Sequence, residues 1–191
     1  ASESDASLLE TLGRSEPLTV FAPGNTALDN WDVEGLLANP ALLSDVIQYH
    51  VVDGSFTTSD LGEGQTLTSL QGTELSASAS SVNGVGYFRI DQDVTNGTVH
   101  IVNNLLFSNR TIAERAEFFT PANAFYNALE QYELTAALND PADDLTAFVP
   151  TEASLAGLAP LVQDQDLTDA DVTEILQYHL LTESVTEGEL V

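Results

Sequence analysis

The chain has 191 residues, 43% of them hydrophobic, and a formal net charge of −26, with 30 acidic residues against 4 basic ones. That balance excludes nucleic acid as a partner, because phosphate binding draws on clustered Lys and Arg, and the only basic residues are Arg14, Arg89, Arg110 and Arg115. Cysteine and methionine are absent, which excludes disulfides and thiolate or thioether metal sites, and no apolar run approaches the ~20 residues of a helical membrane span.

After a polar start, Leu8, Leu9 and Leu12 begin a short helix that Gly13 ends. Residues 18–22 read as a short buried strand stopped by Pro23, which cannot donate to a ladder. Asn25 or Thr26 caps a helical turn holding Leu28 and Trp31, and Leu36 and Leu37 begin another before Asn39-Pro40. From Ala41, the positions Leu43, Val46, Ile47, His50 and Val51 fall on one face of a helix that Asp53-Gly54 ends. Between 65 and 107 the composition turns to β-branched and small residues punctuated by Gly64, Gly72, Asn83-Gly84, Gly86 and Asn96-Gly97, which predicts four or five strands joined by tight turns. The clearest local signal is a hairpin at Asn83-Gly84. Segment 98–102 is apolar on both faces and is expected to be a central strand. Residues 108–123 read as a connection broken at Thr120-Pro121. Beyond it, Phe125, Ala128, Leu129 and Tyr132 mark one amphipathic helix and Leu134, Ala137 and Leu138 another. Thr168-Asp169-Ala170-Asp171 has the form of a capping box with Asp in place of Glu or Gln.

Two motifs recur in the same order. Leu18-Thr19-Val20-Phe21-Ala22-Pro23 returns as Leu145-Thr146-Ala147-Phe148-Val149-Pro150, and Ile47-Gln48-Tyr49-His50 returns as Leu176-Gln177-Tyr178-His179. A shift of about 130 residues is longer than a solenoid period and indicates duplicated domains. The second copy stops before any counterpart of the strands at 65–107, and the first has no counterpart of the helix at Phe125. These gaps predict an excerpt of a longer array, with further chain or an adjacent molecule covering apolar groups such as Ile175, Leu176 and Leu180.

The acidity has two readings, a cation-binding surface or salt adaptation. At about 1 M salt the Debye length falls to roughly 3 Å and self-repulsion is screened. Acids spread over the whole chain, with no lysine, favour salt adaptation and predict a halophilic, archaeal source. Asp91-Gln92-Asp93 and Asp164-Gln165-Asp166 are the local cation candidates, but the second fails the calcium-loop pattern, having Thr168 at position 5, Asp169 where Gly is required and Ile175 at position 12. No metal or cofactor is expected.

Thr19-Val20-Phe21-Ala22-Pro23, Tyr49-His50 and Asn96-Gly97-Thr98-Val99-His100-Ile101-Val102, with Leu67-Thr68-Ser69-Leu70-Gln71-Gly72 between them, resemble in order the signatures of the fasciclin domain family. The second copy keeps Tyr178-His179 and has Val149 where the family has Ala. The first departs at Gly24 and Leu28, where the family has Thr and Phe, and at Asn103, where it has Asp. The resemblance implies an α+β fold, a β-wedge with a helical layer, in one nearly complete copy plus the N-terminal half of a second. The expected divisions are a domain at 1–107, a connection at 108–121 and the half domain at 122–191. The resemblance further implies an extracellular adhesion or interaction role.

His50 and His179 lie on apolar helix stripes and His100 in a strand apolar on both faces. All three read as hydrogen-bonded core residues rather than ligands, with His50 and His179 equivalent. Tyr49, His50, Asn96, Gly97, His100, Tyr178 and His179 are thus expected to be structural motif residues. No Gly-x-Ser-x-Gly elbow, His-Glu-x-x-His pair or phosphate loop occurs in the sequence. Asn96-Gly97-Thr98 and Asn109-Arg110-Thr111 satisfy the N-glycosylation sequon, and Asn109, in a polar connection, is the better acceptor. The leading expectation is a non-enzymatic protein, secreted or anchored at the cell surface, that contacts a cell-surface protein or glycan, itself, or further repeats of its own chain. The alternatives are a non-binding architectural spacer in a larger surface protein and a secreted enzyme with a site built from scattered carboxylates.

Overall fold

The computed structural model describes residues 10, 12–62, 64–108, 111–139, 145–164 and 167–185. Leu8 and Leu9, with most of the helix expected there, lie outside them. The chain divides into two compact units, Ala1–Asn109 and Arg110–Val191.

The first unit is built on β1 (Leu18–Pro23), where Leu18, Thr19 and Phe21 are buried. A short 3-10 turn and two helices follow, α1 (Val33–Ala38) and α2 (Pro40–Tyr49), and then strands β2 (Val51–Asp53), β3 (Gln65–Thr68), β4 (Glu74–Ala77), β5 (Ser81–Val82), β6 (Val85–Val94) and β7 (Gly97–Val102). These form one seven-stranded sheet in the order β2-β1-β7-β6-β5-β4-β3, with β1 and β7 parallel. Val52 of the outer strand β2 forms an isolated bridge with Ser69, the residue that follows the other outer strand, β3, and beside it Leu70 N–H donates to Val51 O at 2.8 Å. The segment 98–102 lies in β7, between β1 and β6. The Asn83-Gly84 turn places both residues at positive φ, 48° and 76°, between the paired Val82 and Val85, as a two-residue primed turn requires. Phe21, Tyr49, Val52, Leu67, Leu75, Val82, Val102 and Leu106 form the core, where each fully buried aliphatic or aromatic side chain contributes about 1.5–3 kcal/mol.

The helix expected to run through His50 and Val51 ends earlier. Asn39 caps its start by accepting from Leu42 N–H at 3.2 Å, and Pro40 fills the first turn, where no N–H is needed. At the other end His50 is the C-cap, and Val51 already pairs with Val20 of β1. Two consecutive β-branched valines beside an unfilled strand edge favour the ladder over another helical turn.

The second unit holds α3 (Ile112–Phe118), α4 (Thr120–Gln131), α5 (Thr135–Leu138), β8 (Thr146–Ala147), α6 (Glu152–Ala156), α7 (Ala159–Gln163), α8 (Asp169–Gln177) and β9 (Leu180–Leu181). The stretch read from sequence as a connection contains α3. A full capping box starts it, Thr111 and Glu114 each accepting from the other's backbone N–H, and Ala113, Ala116 and Phe118 are buried. Thr168 and Asp171 make the same reciprocal box before α8. Phe125 and Leu129 of α4 pack with Val172 and Leu176 of α8, and β8 pairs with β9. The chain is α+β, with helices and a mainly antiparallel sheet.

Candidate functional site

The Tyr49-His50 pair sits where α2 hands over to β2, and its polar atoms are used internally. His50 is 4% exposed. Its Nδ1–H donates to Val46 O at 2.7 Å, and Nε2 accepts from Leu106 N–H at 2.9 Å. Burial pushes its pKa down to about 4, against a smaller upward pull from the Val46 carbonyl. The ring is therefore neutral near pH 7 and has no nitrogen left for a metal. Tyr49 is equally buried. Its hydroxyl donates to Glu74 O at 3.3 Å and accepts from Asn83 Nδ2 at 2.7 Å, and burial raises its pKa despite the Asn83 bond. One dipeptide thus ties the end of α2 to the β4–β5 side of the sheet and to the segment after β7.

His100 lies fully buried on β7, with the Phe21 and Tyr87 rings at 5.6 and 5.3 Å. Its Nδ1 accepts from Asp91 N–H at 3.3 Å, and Nε2–H donates to Phe56 O at 2.9 Å, so the neutral Nε2–H tautomer satisfies both nitrogens. Phe21 connects the two histidines: its N–H donates to His50 O at 2.8 Å while its ring faces His100. Burial and the nearby Asp91 charge push the Tyr87 hydroxyl up to about 12. Asp91 itself is held by Thr58, whose N–H and hydroxyl donate to its carboxylate at 2.7 and 2.6 Å, and these bonds keep the carboxyl below its usual range.

Asn96 and Gly97 turn the chain into β7. Asn96 Nδ2 donates to Leu12 O at 2.9 Å and Arg14 O at 3.0 Å, and the next sequon residue but one, Thr98, is buried with its hydroxyl 2.8 Å from Ser55 Oγ. Both bonds need both hydrogens of Nδ2, and a glycan on Asn96 would replace one of them and so remove at least one bond. Peptide mass mapping of the native protein is therefore expected to find Asn96 unmodified, and Asn96→Ala should lower stability by about 1–2 kcal/mol for two lost hydrogen bonds. The other sequon asparagine, Asn109, lies outside the described residues.

The second histidine motif is not equivalent to the first. His179 Nδ1–H donates to Ile175 O at 2.8 Å and its ring lies 5.7 Å from Phe125, but the residue is only half-buried. Tyr178 is 87% exposed where Tyr49 is 2% exposed. Tyr49 is covered because Glu74 and Asn83 supply its partners, and among the described residues of the second unit the only strands are β8 and β9.

Among the described residues no group of three His, Asp or Glu is placed to hold a metal ion, and no helix is long and apolar enough to cross a membrane. Gln165 and Asp166 of one cation candidate lie outside the described residues. Two surface features that sequence reasoning missed are apolar. One is a groove of the first unit lined by Val20, Leu36, Leu43, Ile47 and Leu105. The other is the exposed set Phe88, Ile90 and Val94 on β6. The apolar residues within Val85–Val94 were readable, but nothing local shows that β5 covers only the first two residues of that strand.

A buried Tyr-His pair at a helix end, a buried histidine on the central strand and an Asn-Gly turn feeding that strand define a fold whose motif residues hold the sheet together. The Fasciclin domain matches residues 2–108 and 120–191, and the chain belongs to that family. It is 27% identical to Stabilin-2 of Mus musculus over 197 residues, which is 93% of this chain and 7% of that protein. It is 35% identical to the transforming growth factor-beta-induced protein ig-h3 of Sus scrofa over 141 residues, 65% of this chain and 21% of that protein. It is 33% identical to the cell surface glycolipoprotein MPB83 of Mycobacterium bovis over 110 residues, 53% of this chain and 48% of that protein. The chain thus spans less than half of each.

Proposed function

We propose that this chain belongs to a salt-adapted, non-enzymatic protein of the cell surface or extracellular space that works by adhesion to a cell-surface protein or glycan. The observation that carries the reading is the inward direction of the motif. In the first unit the nitrogens of His50 and His100 and the Tyr49 hydroxyl are hydrogen-bonded within the unit, while large apolar groups such as Phe88 face solvent. Exposed apolar groups such as these support a contact role for the surface. A cell-surface relative, the mycobacterial glycolipoprotein, supports the location. Binding of the purified chain to whole cells, envelope proteins and glycan arrays tests the reading. Saturable binding to one class is expected, and absence of binding to all of them would leave a spacer as the better description.

Salt adaptation rests on the net charge of −26. The thermal midpoint followed by circular dichroism should rise substantially between about 0.05 M and 1 M KCl, since screening relieves a self-repulsion that opposes a net stability of only about 5–15 kcal/mol. An unchanged midpoint would remove salt adaptation from the proposal.

A further inference from the structure

Strand β6 is ten residues long, yet β5 pairs with it only at Val85 and Gly86. From Phe88 to Val94 the edge away from β7 has no strand beside it among the described residues, and every residue of that stretch is exposed. Unpaired edges of this kind are templates for association unless something blunts them. Here the blunting is partial. Two register shifts against β7 bend the strand, and Asp91 sits at a φ of 52°, but Phe88, Ile90 and Val94 remain 67%, 46% and 44% exposed.

The charges on this edge are also unusual for the chain. The Arg89 guanidinium lies 5.8 Å from the centre of the Phe88 ring, and among the described residues no carboxylate is within ion-pair distance of it. In a chain with 30 acidic residues and 4 arginines, a cation left in this way on an exposed ring complements an acidic surface. Asp91, which would oppose such an approach, is turned to Thr58 instead.

We propose that the Phe88–Val94 edge is a two-fold contact between two copies of this chain. Antiparallel apposition brings the Phe88-Arg89 end of each edge against the Asp93-Val94 end of the other, so that apolar meets apolar and the cation meets acid. The same surface serves both copies, and the contact closes on itself. The bends in β6 keep it short, which prevents open-ended sheet growth. Two molecules of charge −26 repel at long range, so the contact forms at about 1 M salt, where the Debye length is near 3 Å, and not at low ionic strength. The proposal is independent of the adhesion reading, because it concerns the purified chain alone.

Sedimentation equilibrium of the whole chain tests it. A dimer is expected in ~1 M KCl at up to ~100 μM protein, with the dissociation constant rising about tenfold or more in Phe88→Ser and in Arg89→Glu, as for truncated anchor residues of an interface. Val149→Ser, which removes an apolar group exposed to the same extent as Val94 but in the second unit, should dimerise as the wild type does. Hydrogen exchange at 88–94 should slow as dimer forms. A chain that stays monomeric under these conditions, or a dimer indifferent to both β6 substitutions, overturns the proposal.

Discussion

Replacing Gly97 by alanine is expected to unfold the first unit under conditions where the unaltered chain is folded. Gly97 has a φ of 149°, which L side chains rarely adopt, and a Cβ there would run into the Leu18 carbonyl, with Leu18 N only 2.8 Å away. The obstacle is backbone, and it cannot turn aside as a side chain would. Leu18 is itself paired with Gly97 in the parallel β1–β7 ladder, and its N–H donates to Asn96 O at 2.9 Å. Making room means parting the two central strands, with loss of ladder bonds and of the contact between Phe21 and His100. A cost above about 4 kcal/mol is expected, comparable with the whole stability of a small domain. Thermal melts of Gly97→Ala beside Gly62→Ala provide the check, since nothing lies within 4 Å of a Cβ added at Gly62. Equal midpoints for the two variants would contradict the close approach of β1 and β7.

The second large effect is acid lability through His50. Its folded pKa of about 4 lies below the ordinary value of 6.5, so between those pH values the unfolded chain binds a proton that the folded chain refuses. The stabilisation is complete above pH 6.5, falls as pH drops towards 4, and changes no further below that. The shift corresponds to about 3 kcal/mol over that window. Protonation of surface carboxylates acts in the opposite sense at the acid end, because it reduces the −26 charge. The comparison must therefore be made against His50→Gln, which cannot titrate. That variant should be less stable at pH 7 by roughly 1–3 kcal/mol, having an imperfectly filled site and a weakened partner for Leu106 N–H. Denaturant midpoints should converge between pH 7 and pH 4. Parallel curves would mean that the imidazole is not held neutral.

The features that proved readable in sequence are those decided by a few neighbouring residues. Asn83-Gly84 specifies its turn because both residues tolerate positive φ, and Thr168 with Asp171 caps α8 because three-residue spacing suffices for the reciprocal bonds. Thr111 and Glu114 carry the same signal before α3, inside the stretch that reads as a connection because Thr120-Pro121 breaks it. Other features depend on partners far along the chain. The apolar spacing from Leu43 continues unbroken to Val51, and only competition from β1 ends the helix at Tyr49. Tyr49 and Tyr178 occupy the same dipeptide, but the hydroxyl partners of Tyr49 come from β4 and the turn after β5. The identical local pattern is therefore buried in one unit and exposed in the other. The candidate surface on β6 is hidden for a related reason: the unpaired edge beside Phe88 follows from the shortness of β5, a property of a different strand.

The parallel arrangement of β1 and β7 bears on mechanical load. The two strands lie side by side over six paired positions, from Leu18 with Gly97 to Pro23 with Val102. Because they run in the same direction, the chain comes into β1 at one end of the pair and leaves β7 at the other. Tension between those two points slides one strand along the other and strains the whole ladder at once. In the second unit β8 and β9 are antiparallel, with Thr146 opposite Leu181, so the chain comes in and leaves at the same end. Pulling there opens the pair one bond at a time. A protein that grips a surface through this chain would thus bear force along the β1–β7 shear axis and yield first at the short β8–β9 pair.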